Sequence, residues 1–99
     1  MTKLDAITDM LMKHLRTYYS DREFIKYGNS SVLDNSFVLY TYIIKDTSGI
    51  NTYYVRNSPL SEDDIFVFLP SRIRKKKLLL AELNLLGVIC VKTGLQVYE

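Results

Sequence analysis

In 99 residues the chain has one cysteine, one histidine, no tryptophan, two prolines and four glycines. Each scarcity closes off a class of protein. Cys90 has no second cysteine, so a disulfide scaffold is excluded. A closed zinc site needs about four Cys/His ligands, and only His14 and Cys90 are on offer. With so little Gly and Pro, and 47% hydrophobic residues, the chain is neither collagen-like nor disordered. The longest apolar stretch, Leu85 to Val91, is seven residues, against the ~20 needed to cross a bilayer. The start, Met1-Thr2-Lys3-Leu4-Asp5, lacks the basic opening and apolar run of a signal peptide. The expectation is an intracellular protein with no membrane partner and no metal.

Charge is unevenly placed. Residues 1–69 hold seven Lys/Arg against nine Asp/Glu, whereas residues 70–99 hold six against two. Five of those six cations are Arg72, Arg74, Lys75, Lys76 and Lys77.

Leu4, Ile7, Leu11, Leu15 and Tyr18 step by three and four, which predicts a first helix capped by Thr2 with Asp5. Ser20 and Glu23 form a capping box for a short second helix that would end at Gly28. Residues 29–35 read as a loop. Phe37 to Ile44 is β-branched and aromatic, Asp46 to Gly49 is a turn signal, and Ile50 to Arg56 returns as a strand. Pairing Lys45 with Ile50 puts Tyr42 opposite Tyr53 and Tyr40 opposite Val55. The other face then takes Leu39, Thr41, Ile43, Thr52 and Tyr54. Neither face is plainly polar, which predicts a core on one side and a covering element or partner on the other. Ser61 opens a helix through Leu69, and Ser71 a longer one through Leu86, closed by Gly87. Residues 88–98 read as a terminal hairpin. The expected fold is a single α+β domain over 1–99. It has N-terminal helices, two antiparallel β-hairpins that can join in one sheet, and a helix before the last hairpin.

Catalytic apparatus is missing from this reading. No phosphate-binding glycine loop, H-E-x-x-H or G-x-S-x-G occurs. His14 has no nucleophile or metal partner near it in sequence, and Cys90 sits in an apolar run as a small hydrophobe. The expectation is a protein that is not an enzyme and needs no cofactor. Tyr40, Tyr42 and Tyr53 form an aromatic patch. It is either a stacking platform or protein-contact surface, or ordinary packing under a helix.

The run Ser71-Arg72-Ile73-Arg74-Lys75-Lys76-Lys77 carries the most information. Cations at a helix start oppose the helix dipole and repel each other. An anion neutralises both penalties, and a phosphate there would also meet free backbone N–H groups. The intramolecular alternative is pairing with Glu62, Asp63 and Asp64.

A short helix, the turn at Leu69-Pro70-Ser71, a basic helix and the passage Leu83-Asn84-Leu85-Leu86-Gly87-Val88-Ile89 together resemble the second half of a winged helix-turn-helix. That resemblance implies a basic helix in the major groove and a backbone contact from Lys92. The hairpin at 36–56 is extra to that fold. The whole chain is also similar to small proteins of filamentous and rod-shaped archaeal viruses of the Lipothrixviridae and Rudiviridae type. The grounds are an open frame from Met1 to Glu99, abundant Tyr, Ile, Leu and Lys, and no enzyme motif. The similarity implies a thermostable protein located in the host cytoplasm or the virion, and it assigns no residue a role. The functional expectation is a viral regulator that binds duplex DNA through Arg72, Arg74, Lys75, Lys76, Lys77 and Lys92. The alternative is a module that contacts a host or viral protein, or its own copy as a homodimer, through Tyr40, Tyr42 and Tyr53.

Overall fold

The first helix forms where its stripe requires. α1 runs from Lys3 to Tyr18, with Leu4, Ile7, Leu11 and Leu15 buried. Its start is a complete capping box. The Asp5 N–H donates to the Thr2 hydroxyl at 3.1 Å, and the Thr2 N–H donates to the Asp5 carboxylate at 3.3 Å. The computed structural model describes residues 2–32, 38–48 and 51–94.

Five strands build one sheet in chain order: β1 (Phe24–Val32), β2 (Val38–Asp46), β3 (Thr52–Asn57), β4 (Ile65–Leu69) and β5 (Cys90–Thr93). The first four form an antiparallel meander, and β5 lies parallel to β4. Parallel neighbours need a crossover, and α2 (Lys76–Leu85) supplies it. The radius of gyration is 13.2 Å, close to the ~13 Å of a compact 100-residue domain. The α+β single domain therefore stands, with a different inventory of elements.

Two expected helices are strands. Residues 20–27 carry helix-capping signals, and Phe24-Ile25-Lys26-Tyr27 has no polar–apolar alternation to set against them. Pairing with β2 along nine residues outweighs the local preference. Gly28 is not a helix terminator. It lies in β1 against the Tyr42 ring, where an added Cβ would sit 3.3 Å from Cε1. Residues 65–69 bury Ile65, Val67 and Leu69 and leave Phe66 and Phe68 partly exposed, a period of two. The short helix of the helix-turn-helix resemblance is thus a sheet strand. The first arm of the expected terminal hairpin is β5, which pairs with β4. The second arm, 95–98, lies outside the described residues.

Ser71 does not cap α2. Lys75 occupies that position with φ 55°, in the left-handed region, and no side chain caps the helix. Gly87, at φ 75°, closes α2 as expected. The Val88 N–H reaches Leu83 O and the Gly87 N–H reaches Asn84 O, which satisfies the last carbonyls.

Lys45 pairs with Thr52 rather than Ile50, so the β2–β3 register is displaced by two residues. An even displacement keeps every side chain on its expected face. One face carries Ile44, Tyr53, Val55, Ile65, Val67 and Leu69. It shares a single core with the buried side chains of α1 and with Leu79 and Leu83 of α2. Both helices therefore lie on one side of the sheet. Thr52, Tyr54, Arg56, Phe66 and Phe68 alternate with the buried positions and remain partly exposed on the other side.

Tyr53 is 1% exposed. Burial pushes its phenol up to about 12 from the ordinary 10.0, with the charges of neighbouring groups as smaller contributions. The neutral phenol stabilises the fold fully below pH 10, and this contribution is lost as pH rises through about 12. Denaturant unfolding followed across that window should show stability falling, and Tyr53→Phe should flatten the fall. An unchanged alkaline loss in Tyr53→Phe contradicts the assignment.

Candidate nucleic-acid interface

The basic segment is pinned to the end of α1 by contacts some sixty residues apart in sequence. The Arg74 N–H donates to the Tyr19 hydroxyl at 2.8 Å. The Arg74 carbonyl lies 2.9 Å from His14 Nε2, so that ring nitrogen carries the donated proton. The Arg74 guanidinium donates to Tyr18 O at 2.9 Å and sits 4.5 Å from the Tyr19 ring centre. Arg22 stacks on the same ring at 4.8 Å. His14 is 4% exposed and lies 4.6 Å from the Tyr18 ring. Its role in the structure is to hold the loop that precedes α2.

This anchoring shapes a cleft of about 520 Å³, bounded by Tyr19, Arg22, Asn51, Arg72, Arg74 and Lys76. Four cations converge on it. Arg22 lies 3.6 Å from Asp46, whose side chain is 1% exposed. The same carboxylate accepts Ser48 Oγ at 2.6 Å and Asn51 Nδ2 at 3.0 Å, which sets the rim of the cleft after β2. Arg74 lies 3.8 Å from Asp21, with both side chains more than half exposed. A pair that open is worth at most about 1 kcal/mol and yields readily to a stronger anion. Lys76 donates to Ser71 O at 3.3 Å, a neutral partner. Arg72 has no carboxylate or hydrogen-bond partner among the described residues.

Arg72, Arg74 and Lys76 are thus brought together, while Lys75, Lys77 and Lys92 are exposed beyond the rim. Glu62, Asp63 and Asp64 do not pair with the cluster. They precede β4, at the opposite end of that strand from Ser71. Of the five cations, Arg74 is held by its own chain and Lys76 donates to a backbone carbonyl. Sequence reading missed Tyr19, Arg22 and Asn51, because no local pattern links them to residues 71–76.

A larger cavity of about 730 Å³ opens at the other end of the sheet, with Asp5, Tyr40, Tyr42, Asn57, Glu62 and Asp63 among its walls. The Tyr42 hydroxyl donates to Asp5 at 2.6 Å. That bond, helped by Thr2, holds the Asp5 carboxyl below its ordinary 3.8, and the same bond raises the Tyr42 phenol. The acidic lining suits no polyanion. Of the expected tyrosine patch, Tyr40 is 47% exposed, Tyr42 is partly covered and Tyr53 is buried beneath α1. Tyr53 is therefore core and cannot receive a partner.

Comparison with protein-family models, with curated proteins and with solved structures finds no match.

Tyr19→Phe keeps the ring and deletes one hydrogen bond, which should cost about 1 kcal/mol in urea unfolding. Tyr19→Leu also loses both cation–π contacts, each worth about 0.5–1 kcal/mol, and should cost at least twice as much. Equal stability in the two variants contradicts the anchoring role of the ring.

Proposed function

We propose that this protein binds nucleic acid without catalysis, taking backbone phosphates in the cleft between the end of α1 and residues 71–76. The carrying observation is the convergence of Arg22, Arg72, Arg74 and Lys76 on one concave surface, against which the described residues set two carboxylates, the buried Asp46 beside Arg22 and the exposed Asp21 beside Arg74. Two arginines fixed on a tyrosine ring lose little freedom on binding. Their planar forks also match phosphate geometry better than mobile lysines do. The cleft lies beyond the carboxyl end of β4, where the chain turns towards α2. The unsatisfied N–H groups of the uncapped helix start add positive potential nearby. Lys75 and Lys77, exposed just outside, extend the field along a polyanion longer than the cleft.

Opposite ends of the sheet carry opposite charge. A basic cleft at one end and an acidic cavity at the other orient the molecule as a nucleic acid approaches.

Fluorescence anisotropy with a labelled oligonucleotide tests this reading. If four cations neutralise phosphates, log K against log salt should fall with a slope of about −3 to −4. Arg72→Ala should weaken binding alike across sequences and reduce the magnitude of the slope by about 1. Lys76→Ala should act similarly and leave the melting temperature unchanged or slightly raised, because it removes a cation from a helix start. Binding that ignores salt, or that survives the Arg72→Ala/Lys76→Ala double substitution intact, overturns the proposal.

A further inference from the structure

The sheet face turned away from both helices is made of outward side chains in register. Tyr27, Ile43, Tyr54, Phe68 and Lys92 form one rung across all five strands. Arg56 and Phe66 are neighbours in the next rung. The Arg56 guanidinium lies 4.9 Å from the Phe66 ring centre and 5.3 Å from that of Phe68. Tyr27 is 50% exposed, while Tyr54, Phe66 and Phe68 are partly exposed. Five strands at ~4.8 Å spacing make a surface about 19 Å across, wide enough for several nucleotides.

Its charge is of one sign. The outward strand positions carry Lys45, Arg56 and Lys92 and no Asp or Glu. Asp46, next to Lys45 in β2, is buried on the covered side, and Glu23 and Asp64 lie one residue outside β1 and β4. A second copy of this face would set three cations against three like charges, which disfavours self-pairing. Rings interleaved with cations suit a chain that offers flat π-faces and phosphates together. A duplex keeps its bases stacked inside, whereas a single strand presents them.

We propose that this bare face is a stacking platform for single-stranded nucleic acid. Tyr27, Tyr54, Phe66 and Phe68 receive bases, and Lys45, Arg56 and Lys92 meet phosphates. The proposal rests on the nucleic-acid reading of the cleft and specifies the state of the strand. The two surfaces are linked along the sheet end. Lys45 precedes Asp46, which holds Arg22 and Asn51 of the cleft. Lys92 precedes Thr93, which pairs with Leu69 just before residues 70–76. The two surfaces therefore meet at the same end of the sheet.

The test uses the full chain with labelled oligothymidylate, oligouridylate and a duplex of equal length. Tyr27→Leu/Tyr54→Leu/Phe68→Leu keeps apolar bulk and removes the rings, and Tyr40→Leu on the opposite face is the control. At least one single strand should bind about tenfold or more tighter than the duplex. The triple variant should lose about tenfold or more on single strands and little on the duplex, while Tyr40→Leu changes neither. Intrinsic tyrosine fluorescence, free of tryptophan background, should be quenched by the single strand. If the triple variant does not unfold cooperatively, Tyr27→Leu alone should still weaken single-strand binding about threefold or more. Equal single-strand and duplex affinity, untouched by the leucines but lost in Arg72→Ala/Lys76→Ala, overturns the platform and leaves the cleft standing. Absence of binding to any probe overturns both. A dimer in light scattering that the leucine substitutions dissociate assigns the face to a second copy and also overturns the proposal.

Discussion

Tyr19 ties the end of α1 to the segment that precedes α2, and the character of the site depends on that tie. Its hydroxyl accepts the Arg74 N–H, and its ring carries both Arg22 and Arg74. Without it, residues 71–75 are a surface loop of solvated cations. With it, two guanidiniums are fixed beside a concavity and the chain enters α2 through a left-handed Lys75. A left-handed non-glycine residue costs roughly 1–2 kcal/mol. Five contacts around Arg74, the His14 bond and the Asp21 pair among them, act against that penalty.

A second constraint is the one-sided sheet. Nine strand residues in β1 and nine in β2 extend the meander beyond what two helices can roof. Both helices pack on the same face and fuse into one core. The exposed face keeps aromatic and β-branched side chains because those residue types build the strands, and its charges are all positive. One protein therefore presents two cationic surfaces joined at a sheet end, with acidic groups gathered at the opposite end.

Much of this was legible in the residues. The stripe from Leu4 to Tyr18, the Thr2–Asp5 cap and the Gly87 stop are local signals, and all three are realised in the structure. The face assignment of β2 and β3 survived a register displaced by two residues, because side-chain period in a strand is two. Phe24-Ile25-Lys26-Tyr27 and Ile65-Phe66-Val67-Phe68-Leu69 were not legible as strands. Their flanking acids and serines mimic helix caps, and only pairing with β2 and β3 decides the matter. Of the site, Arg72, Arg74 and Lys76 were visible as a charge run. Tyr19, Arg22, His14 and Asn51 were not, since tertiary contacts alone bring them to residues 71–76.

The most direct measurement is an NMR titration of isotope-labelled protein with a short oligonucleotide, following every amide. The account predicts shifts concentrated at residues 19–22, 51 and 71–76 and along the outward rungs of the sheet, with Asp5, Tyr42 and Asp63 unmoved. Shifts centred on the acidic cavity, or none at low salt, would contradict it.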